Sequence, residues 1–176
     1  AVNLAVMRAK AGKQVLLVDA DSADNSNASD FASFRDTVIE GGKGFDAARI
    51  IGRDVLTNVP GLAKRYDDTI VDVGGSDSIS QRAALLIADI VIFPVYPSSL
   101  DIWVFGNVGK IVDEARISNP NLRAISFLMR ADSSGTTNEE AAEILRGIKN
   151  IEFHDIPVVN RKVFRAAAAQ GLGVVE

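Results

Sequence analysis

Short apolar runs alternate with stretches of helical spacing along the whole chain. The runs that predict strands are Gln14 to Asp19, Ala47 to Ile51, Thr69 to Val73, Asp89 to Tyr96, Ala124 to Met129 and Ile156 to Val159. The stretches that predict helices are Ala1 to Ala11, Ala28 to Val38, Val55 to Arg65, Ser80 to Ala88, Leu100 to Ile117, Asn138 to Lys149 and Lys162 to Gln170. Strands that alternate with helices predict an α/β fold, a doubly wound and mostly parallel sheet with helices on both faces.

Local signals refine three of these elements. The run Asp89 to Tyr96 is so strongly apolar that we expect it near the middle of a sheet covered on both faces. Asn138 is expected to cap the helix that begins there. The buried side of the long helix is predicted to carry Trp103, Val104, Val108, Ile111 and Val112.

Two of the predicted strands end in carboxylates. The run QVLLVDAD ends at Asp19 and Asp21, and TIVDVGG ends at Asp72 followed by Gly74 and Gly75. The carboxyl ends of parallel strands are where open α/β sheets bind ligands, so the pair suggests a metal-phosphate site. For either run alone the alternative is structural: the aspartates cap the next helix and the glycines make the turn.

Composition narrows the class of protein. A chain of 176 residues, 47% hydrophobic and 24% charged, is expected to form a single globular domain over residues 1–176. It has no apolar run long enough to span a membrane and no secretory pattern, and the lack of cysteine fits a reducing cytoplasm. The net charge of −4 means that any DNA binding needs a local basic patch.

Several segments together resemble the ParA/MinD family of deviant Walker ATPases, most closely the small ParA proteins of plasmid partition. They are AVNLAVMRAKAGKQVLLVDAD, YDDTIVDVGG, ADIVIFPVYPSSLDIW and IPVVNRKVFRAAAAQGLGVVE. The resemblance implies a P-loop NTPase-like fold, ATP and Mg²⁺ as cofactors, and ATP hydrolysis. It also implies that Asp72 takes the Walker B position and holds magnesium, that Asp19 lies near the metal, and that Asp21 orients the attacking water.

The resemblance assigns further residues around the nucleotide. Pro94 and Pro97 resemble the strand exit near the nucleotide, and their alternative role is to end a strand. Arg130 and Asp132 resemble the segment beside the adenine base, although an exposed loop pair is an equal alternative. Ser22 and Ala23 stand where the family has Pro-Gln, so the loop there is expected to have a different shape.

The same resemblance implies partners. They are a second copy of the chain with ATP, non-specific DNA on the nucleoid, and a centromere-binding adaptor that stimulates hydrolysis. Arg161, Lys162 and Arg165 are the preferred DNA-binding residues, and the stretch Arg116 to Arg130 is a second basic candidate. Scattered solvated charge is an equal alternative for both.

The glycine-rich phosphate loop of this family is not found in these residues. The sequence GGKG at 41–44 lacks a preceding apolar strand and a Gly-Lys-Ser/Thr ending, and is interpreted as a linker. We expect a strand and a phosphate loop directly before Ala1, and we expect the chain as given not to turn over ATP. A non-catalytic interaction module of the same fold, a MinD-like positioning ATPase and a cofactor-synthesis relative are the alternatives.

Overall fold

The computed structural model describes residues 1–21, 26–74, 77–133 and 136–176, without the side chains of residues 99–104, 106 and 107. The chain forms two compact units, one made of Ala1–Ala84 with Lys162–Glu176 and the other of Leu85–Arg161. The helices are α1 Val2–Lys10, α2 Asn27–Val38, α3 Asp54–Ala63, α4 Ile79–Ile87, α5 Ser99–Ser118, α6 Thr137–Arg146 and α7 Lys162–Ala168. The strands are β1 Val15–Asp19, β2 Asp46–Arg49, β3 Asp68–Asp72, β4 Ile90–Val95, β5 Arg123–Ala131, β6 Glu152–Phe153 and β7 Val158–Val159.

The first unit holds a three-stranded parallel sheet in the order β2-β1-β3. Every residue of the central strand β1 is buried, because it is paired on both sides and covered by helices. Its core combines Ala5 and Val6 of α1 with Val15 and Leu17 of β1 and with residues of α2. This double coverage explains why β1 is an unbroken apolar run up to Asp19.

The second unit holds a parallel sheet in which β5 pairs with β4, β6 and β7. Its core includes Val95 of β4, Val112 of α5, Leu128 of β5 and Leu145 of α6. The pairing of β5 with β7 shifts register between Met129 and Ala131. The residue between them has a left-handed backbone, with a φ of 54°, so β5 carries an irregularity at its carboxyl end.

The predicted fold class is confirmed, because both sheets are parallel and flanked by helices. Every predicted helix and strand is found, with bounds displaced by a few residues. The two-residue strand β6 was not predicted, since it is too short to show a pattern. Of the helices in the described part of the chain, none has both the length and the hydropathy needed to cross a bilayer.

Two predicted details were wrong. Strand β4 is not covered on both faces: within the described residues it pairs only with β5, and Ile90 and Ile92 are 44% and 46% exposed. Asn138 does not cap α6, whose first flanking residue is Thr136. The side chain of Asn138 instead bonds the backbone N–H and carbonyl of Asp132, at 3.1 and 2.7 Å. The predicted burial of Trp103 and Val104 lies outside the described side chains.

A partly buried ion pair joins Glu176 to α2. The guanidinium of Arg35, which is 5% exposed, donates to both carboxylate oxygens of Glu176 at 2.7 and 2.9 Å. It also donates to the carbonyls of Gly171 and Lys43, at 2.6 and 2.9 Å. Because so many of its donors are satisfied, the charge can be buried without a large net cost.

The Arg35 pair predicts a pH-dependent contribution to stability. Hydrogen bonding from Arg35 holds the pKa of Glu176 below its ordinary value of 4.5, against the opposite effect of burial. The contribution is therefore complete above pH 4.5 and is lost as the pH falls through the lowered pKa of the folded state.

We expect Glu176→Gln to lower the free energy of unfolding by about 2 to 4 kcal/mol at pH 7, because Arg35 stays buried with half of its ion pair removed. Chemical denaturation at pH 7 and at pH 3 measures this, and the difference from wild type should shrink at the lower pH. The exposed Glu40, changed to Gln, is the matched control. Equal stabilities of the Glu176→Gln variant and wild type at pH 7 would show that the pair is not stabilising.

Candidate functional site

Two aspartates lie side by side where the first sheet ends. Strands β1 and β3 are parallel and in register, with Asp19 opposite Asp72 as the last pair. Residues paired in register point to the same face of a parallel sheet, so the two carboxylates are neighbours. The sequence predicted that the two strand ends lie together. Beyond the last pair, Ala20 continues the pairing of the strands by donating its N–H to the Asp72 carbonyl at 2.8 Å.

Asp19 is held by backbone N–H groups. It is 2% exposed, and its two carboxylate oxygens accept hydrogen bonds from the amides of Asp21 and Ser29, at 3.3 and 2.8 Å. Ser29 belongs to the first turn of α2. The predicted alternative, that an aspartate after a strand caps the next helix, therefore describes what this carboxylate does in the structure.

Asp21 lies against the glycine that follows β3. A Cβ added at Gly74 would collide with Oδ1 of Asp21 and come within 3.2 Å of its Cγ. Gly74 is therefore required for the close approach of the two segments rather than for an unusual backbone angle, since it is not among the glycines with positive φ. Gly75 and the unusual residues Ser22 and Ala23 lie outside the described residues.

Asp72 is in an unfavourable place for a charged carboxylate. Burial raises the pKa of Asp72 above its ordinary value of 3.8, and the charges of Asp19 and Asp21 raise it further. A desolvated carboxylate beside two others favours a cation.

The donor set of this cluster fits magnesium. Mg²⁺ prefers oxygen ligands and needs only one or two carboxylates when water and phosphate complete its shell. Within the described ranges no group of three or more Asp, Glu, His or Cys side chains has the geometry of a metal cage. Asp72 is the carboxylate that a cation would relieve, so it is the strongest candidate ligand.

A second set of polar side chains follows β4 and β5. The guanidinium of Arg130 lies 5.4 Å from the ring centre of Tyr96, and its Nη1 donates to the Tyr96 hydroxyl at 3.3 Å. Asp132 is bound through its backbone to Asn138. The positive φ of Arg130, uncommon for a residue other than glycine, coincides with the register irregularity at the end of β5. Sequence reasoning found Arg130 and Asp132 but missed Tyr96, although its position directly after a strand was visible.

The two predicted prolines are placed differently. Pro94 is exposed within β4, where a residue without an N–H is tolerated because the strand is at an edge of the described sheet. Pro97 is buried just beyond the strand. Pro97 fits the structural alternative of ending the strand, whereas Pro94 is paired within it. The predicted contact of both prolines with nucleotide stays a prediction.

The two groups of candidate DNA-binding residues differ in their surroundings. Arg161, Lys162 and Arg165 are exposed. Lys162 is the first residue of α7, and Arg165 lies about one turn further along the helix. Arg116, by contrast, donates to the carbonyls of Leu122 and Asn150, at 3.0 and 2.8 Å. The stretch Arg116 to Arg130 is therefore weakened as a DNA candidate, because its first arginine holds two loops of the fold.

The glycine cluster at 41–44 lies away from the carboxylates. It lines a groove of about 590 Å³ together with Gln14 and Val15, which begin β1. That groove is at the amino ends of the strands, whereas Asp19 and Asp72 are at the carboxyl ends. The interpretation of GGKG as a linker before β2 agrees with this placement.

Comparison with known proteins finds the same fold in ATPases that position cargo. No profile of a known protein family matches the chain. A curated relative, maintenance of carboxysome distribution protein A from Halothiobacillus neapolitanus, is 27% identical over 130 residues. The match covers 70% of this chain and 57% of the relative, so the chain spans little more than half of that protein's length.

Solved structures match nearly all of the chain. A plasmid partition protein from Borrelia burgdorferi is 18% identical with a TM-score of 0.66, covering 99% of this chain and 89% of its own. Apo McdA from Cyanothece is 14% identical with a TM-score of 0.75, and the match covers 99% of this chain and 86% of McdA. MinD from Pyrococcus horikoshii with Mg-ADP is 16% identical with a TM-score of 0.68, and the match covers 99% of this chain and 80% of MinD. The predicted resemblance to the ParA/MinD family is confirmed, and at these identities it establishes the fold.

The contact between Gly74 and Asp21 predicts a sensitive glycine. We expect Gly74→Ala to cost about 1 kcal/mol of stability, since the new methyl group must displace the end of the Asp21 side chain from its position beside β3. Gly61→Ala is the matched control: it lies inside α3 with no atom within 4 Å of an added Cβ, and should be neutral or stabilising. Thermal unfolding of both variants measures the difference, and equal melting temperatures would contradict the contact.

Proposed function

We propose that this chain is the nucleotide-binding part of a ParA-type ATPase, which uses ATP and Mg²⁺ to position cargo such as a plasmid or chromosome. The observation that supports it most is the cluster of Asp19, Asp21 and Asp72 at adjacent strand ends, with the pKa of Asp72 raised by burial. Such a cluster is costly unless a cation joins it. The Mg-ADP bound by a MinD of the same fold supports the identity of the ligand.

The roles follow from the placement of the three carboxylates. Magnesium, when bound, would neutralise phosphate charge in phosphoryl transfer. Asp72 is the residue that would hold it, since burial and the charges of Asp19 and Asp21 raise its pKa. Asp21 lies at the same edge, against Gly74, and orients the attacking water. Arg130 and Asp132 are our candidates for the contact with the adenine base.

Two kinds of cargo are compatible with the proposed function. Plasmid or chromosome segregation is favoured by the partition protein of the same fold. Distribution of a protein compartment is favoured by two matches, the curated relative and McdA. In both cases we propose a dimer formed with ATP, non-specific DNA as the matrix, and an adaptor that stimulates hydrolysis. A non-catalytic interaction module of the same fold would bind no nucleotide.

Separate substitutions distinguish holding the metal from orienting water. In the full-length protein we expect Asp21→Ala to keep the nucleotide dissociation constant within about threefold while turnover falls by about 10² or more, because orienting water matters only in the transition state. Asp72→Ala should weaken magnesium-dependent binding by about tenfold or more.

Binding of a fluorescent ATP analogue with and without Mg²⁺, together with phosphate release, measures both effects. Asp113→Ala, an exposed aspartate in α5, is the matched control and should behave as wild type. Equal losses of affinity in the Asp21 and Asp72 variants would show that these roles are misassigned. A wild-type protein that binds no nucleotide would favour the interaction module.

DNA binding is expected to depend on the exposed cations at the start of α7. Changing Arg161, Lys162 and Arg165 together to Ala should weaken DNA binding in the presence of ATP. It should also flatten the plot of log affinity against log salt by up to about three units, since each cation that no longer neutralises a phosphate reduces the slope by about 0.9.

The control for charge is a second triple variant, Lys64, Lys110 and Lys149 to Ala, which removes three exposed cations outside both candidate stretches. Titrations at several salt concentrations compare the slopes of the two variants. Identical slopes would mean that the cations of α7 are solvated surface charges.

A further inference from the structure

The carboxylate of Asp19 is used differently from those of its two neighbours. Its two oxygens accept the N–H groups of Asp21 and Ser29, and only 2% of the residue is exposed. We propose that Asp19 is a positioning residue, which fixes both ends of the loop joining β1 to α2 so that Asp21 is held at the site, and that it does not ligate magnesium. This inference rests on the proposed function, and it revises the role near the metal that the resemblance implied.

The start of α2 shows why this carboxylate is needed. Ser26, the residue that flanks the helix, makes no capping bond with its side chain. Its hydroxyl donates instead to the carboxylate of Asp30, at 2.9 Å. The Ser29 amide donates its N–H to the carboxylate of Asp19, ten residues earlier at the end of β1. The carboxylate of Asp19, at the end of β1, therefore caps α2 in place of the Ser26 side chain.

The electrostatics agree with this role. A negative charge at a helix N-terminus is favourable because it interacts with the partial positive charge of the unpaired N–H groups. Asp19 thus has its charge compensated by protein dipoles, whereas the pKa of Asp72 is raised by burial and by the charges around it. The two carboxylates of one register pair consequently differ in what they still need, and the cation is needed by Asp72.

The second hydrogen bond carries the effect to Asp21. The Asp21 amide donates to Asp19 at 3.3 Å, and its carboxylate lies against Gly74 on the neighbouring strand end. Asp21 is therefore located from both sides, through its backbone and through its carboxylate. Removal of the Asp19 acceptor would leave this residue with one of these two restraints, which would lower turnover without removing a metal ligand.

The test separates a helix cap from a metal ligand by measuring the nucleotide-free protein first. In Asp19→Ala we expect the Ser29 amide to exchange about five- to tenfold faster than in wild type, as measured by NMR hydrogen exchange without nucleotide or Mg²⁺. Asp72→Ala is the matched comparison and should leave exchange at Ser29 unchanged. Asp19→Asn keeps the side-chain volume and one acceptor oxygen, so it should restore part of the protection and serves if the alanine variant does not fold.

The second measurement is the Mg²⁺ concentration that gives half-maximal binding of a fluorescent ATP analogue. We expect it to change by less than about threefold in the Asp19 variants and by about tenfold or more in Asp72→Ala. In the Asp19 variants kcat should fall more than KM rises. Unchanged exchange at Ser29, or a magnesium requirement shifted as far as in Asp72→Ala, would overturn the inference. A wild type that binds no nucleotide would reject the proposed function, while the exchange measurement would still decide the role of Asp19.

Discussion

The parallel register between β1 and β3 is the constraint on which the site depends. It brings the buried Asp19 and the partly buried Asp72 to the same point of the sheet edge, where their like charges lie close together. The fold compensates one of them with the N–H groups of Asp21 and Ser29. The other is left with a raised pKa, and that imbalance is what makes the edge suited to a cation and its phosphate.

The surrounding elements preserve that arrangement. A glycine at position 74 leaves room for the Asp21 carboxylate at the end of β3, which an added Cβ would displace. Helix α2 is fixed at its first turn by Asp19 and in its third turn by the ion pair between Arg35 and Glu176. Strain is concentrated elsewhere, at the left-handed Arg130 beside Tyr96.

The sequence predicted the parts of this structure that depend on periodicity and composition. The apolar run before Asp19 and the two carboxylate-tipped strands were enough to predict parallel strands and their shared edge. The contact of Arg35 with Glu176 joins distant segments, and no local pattern encodes it. The cap that Asp19 gives to α2 was one of two interpretations of the strand-end aspartates, because the sequence does not show which N–H groups they meet. Asn138 was misjudged because its side chain bonds the backbone of Asp132 instead of capping α6.

The central claim is that Asp72 is the carboxylate that still needs a cation while Asp19 is already compensated. Carboxyl carbon NMR of the full-length protein, labelled at aspartate and titrated with pH before and after saturation with Mg²⁺ and ADP, tests it directly. We expect an elevated pKa for Asp72 in the free protein, which falls sharply when the ligands bind. An Asp72 signal that titrates identically with and without Mg²⁺ and ADP would show that Asp72 does not hold the cation.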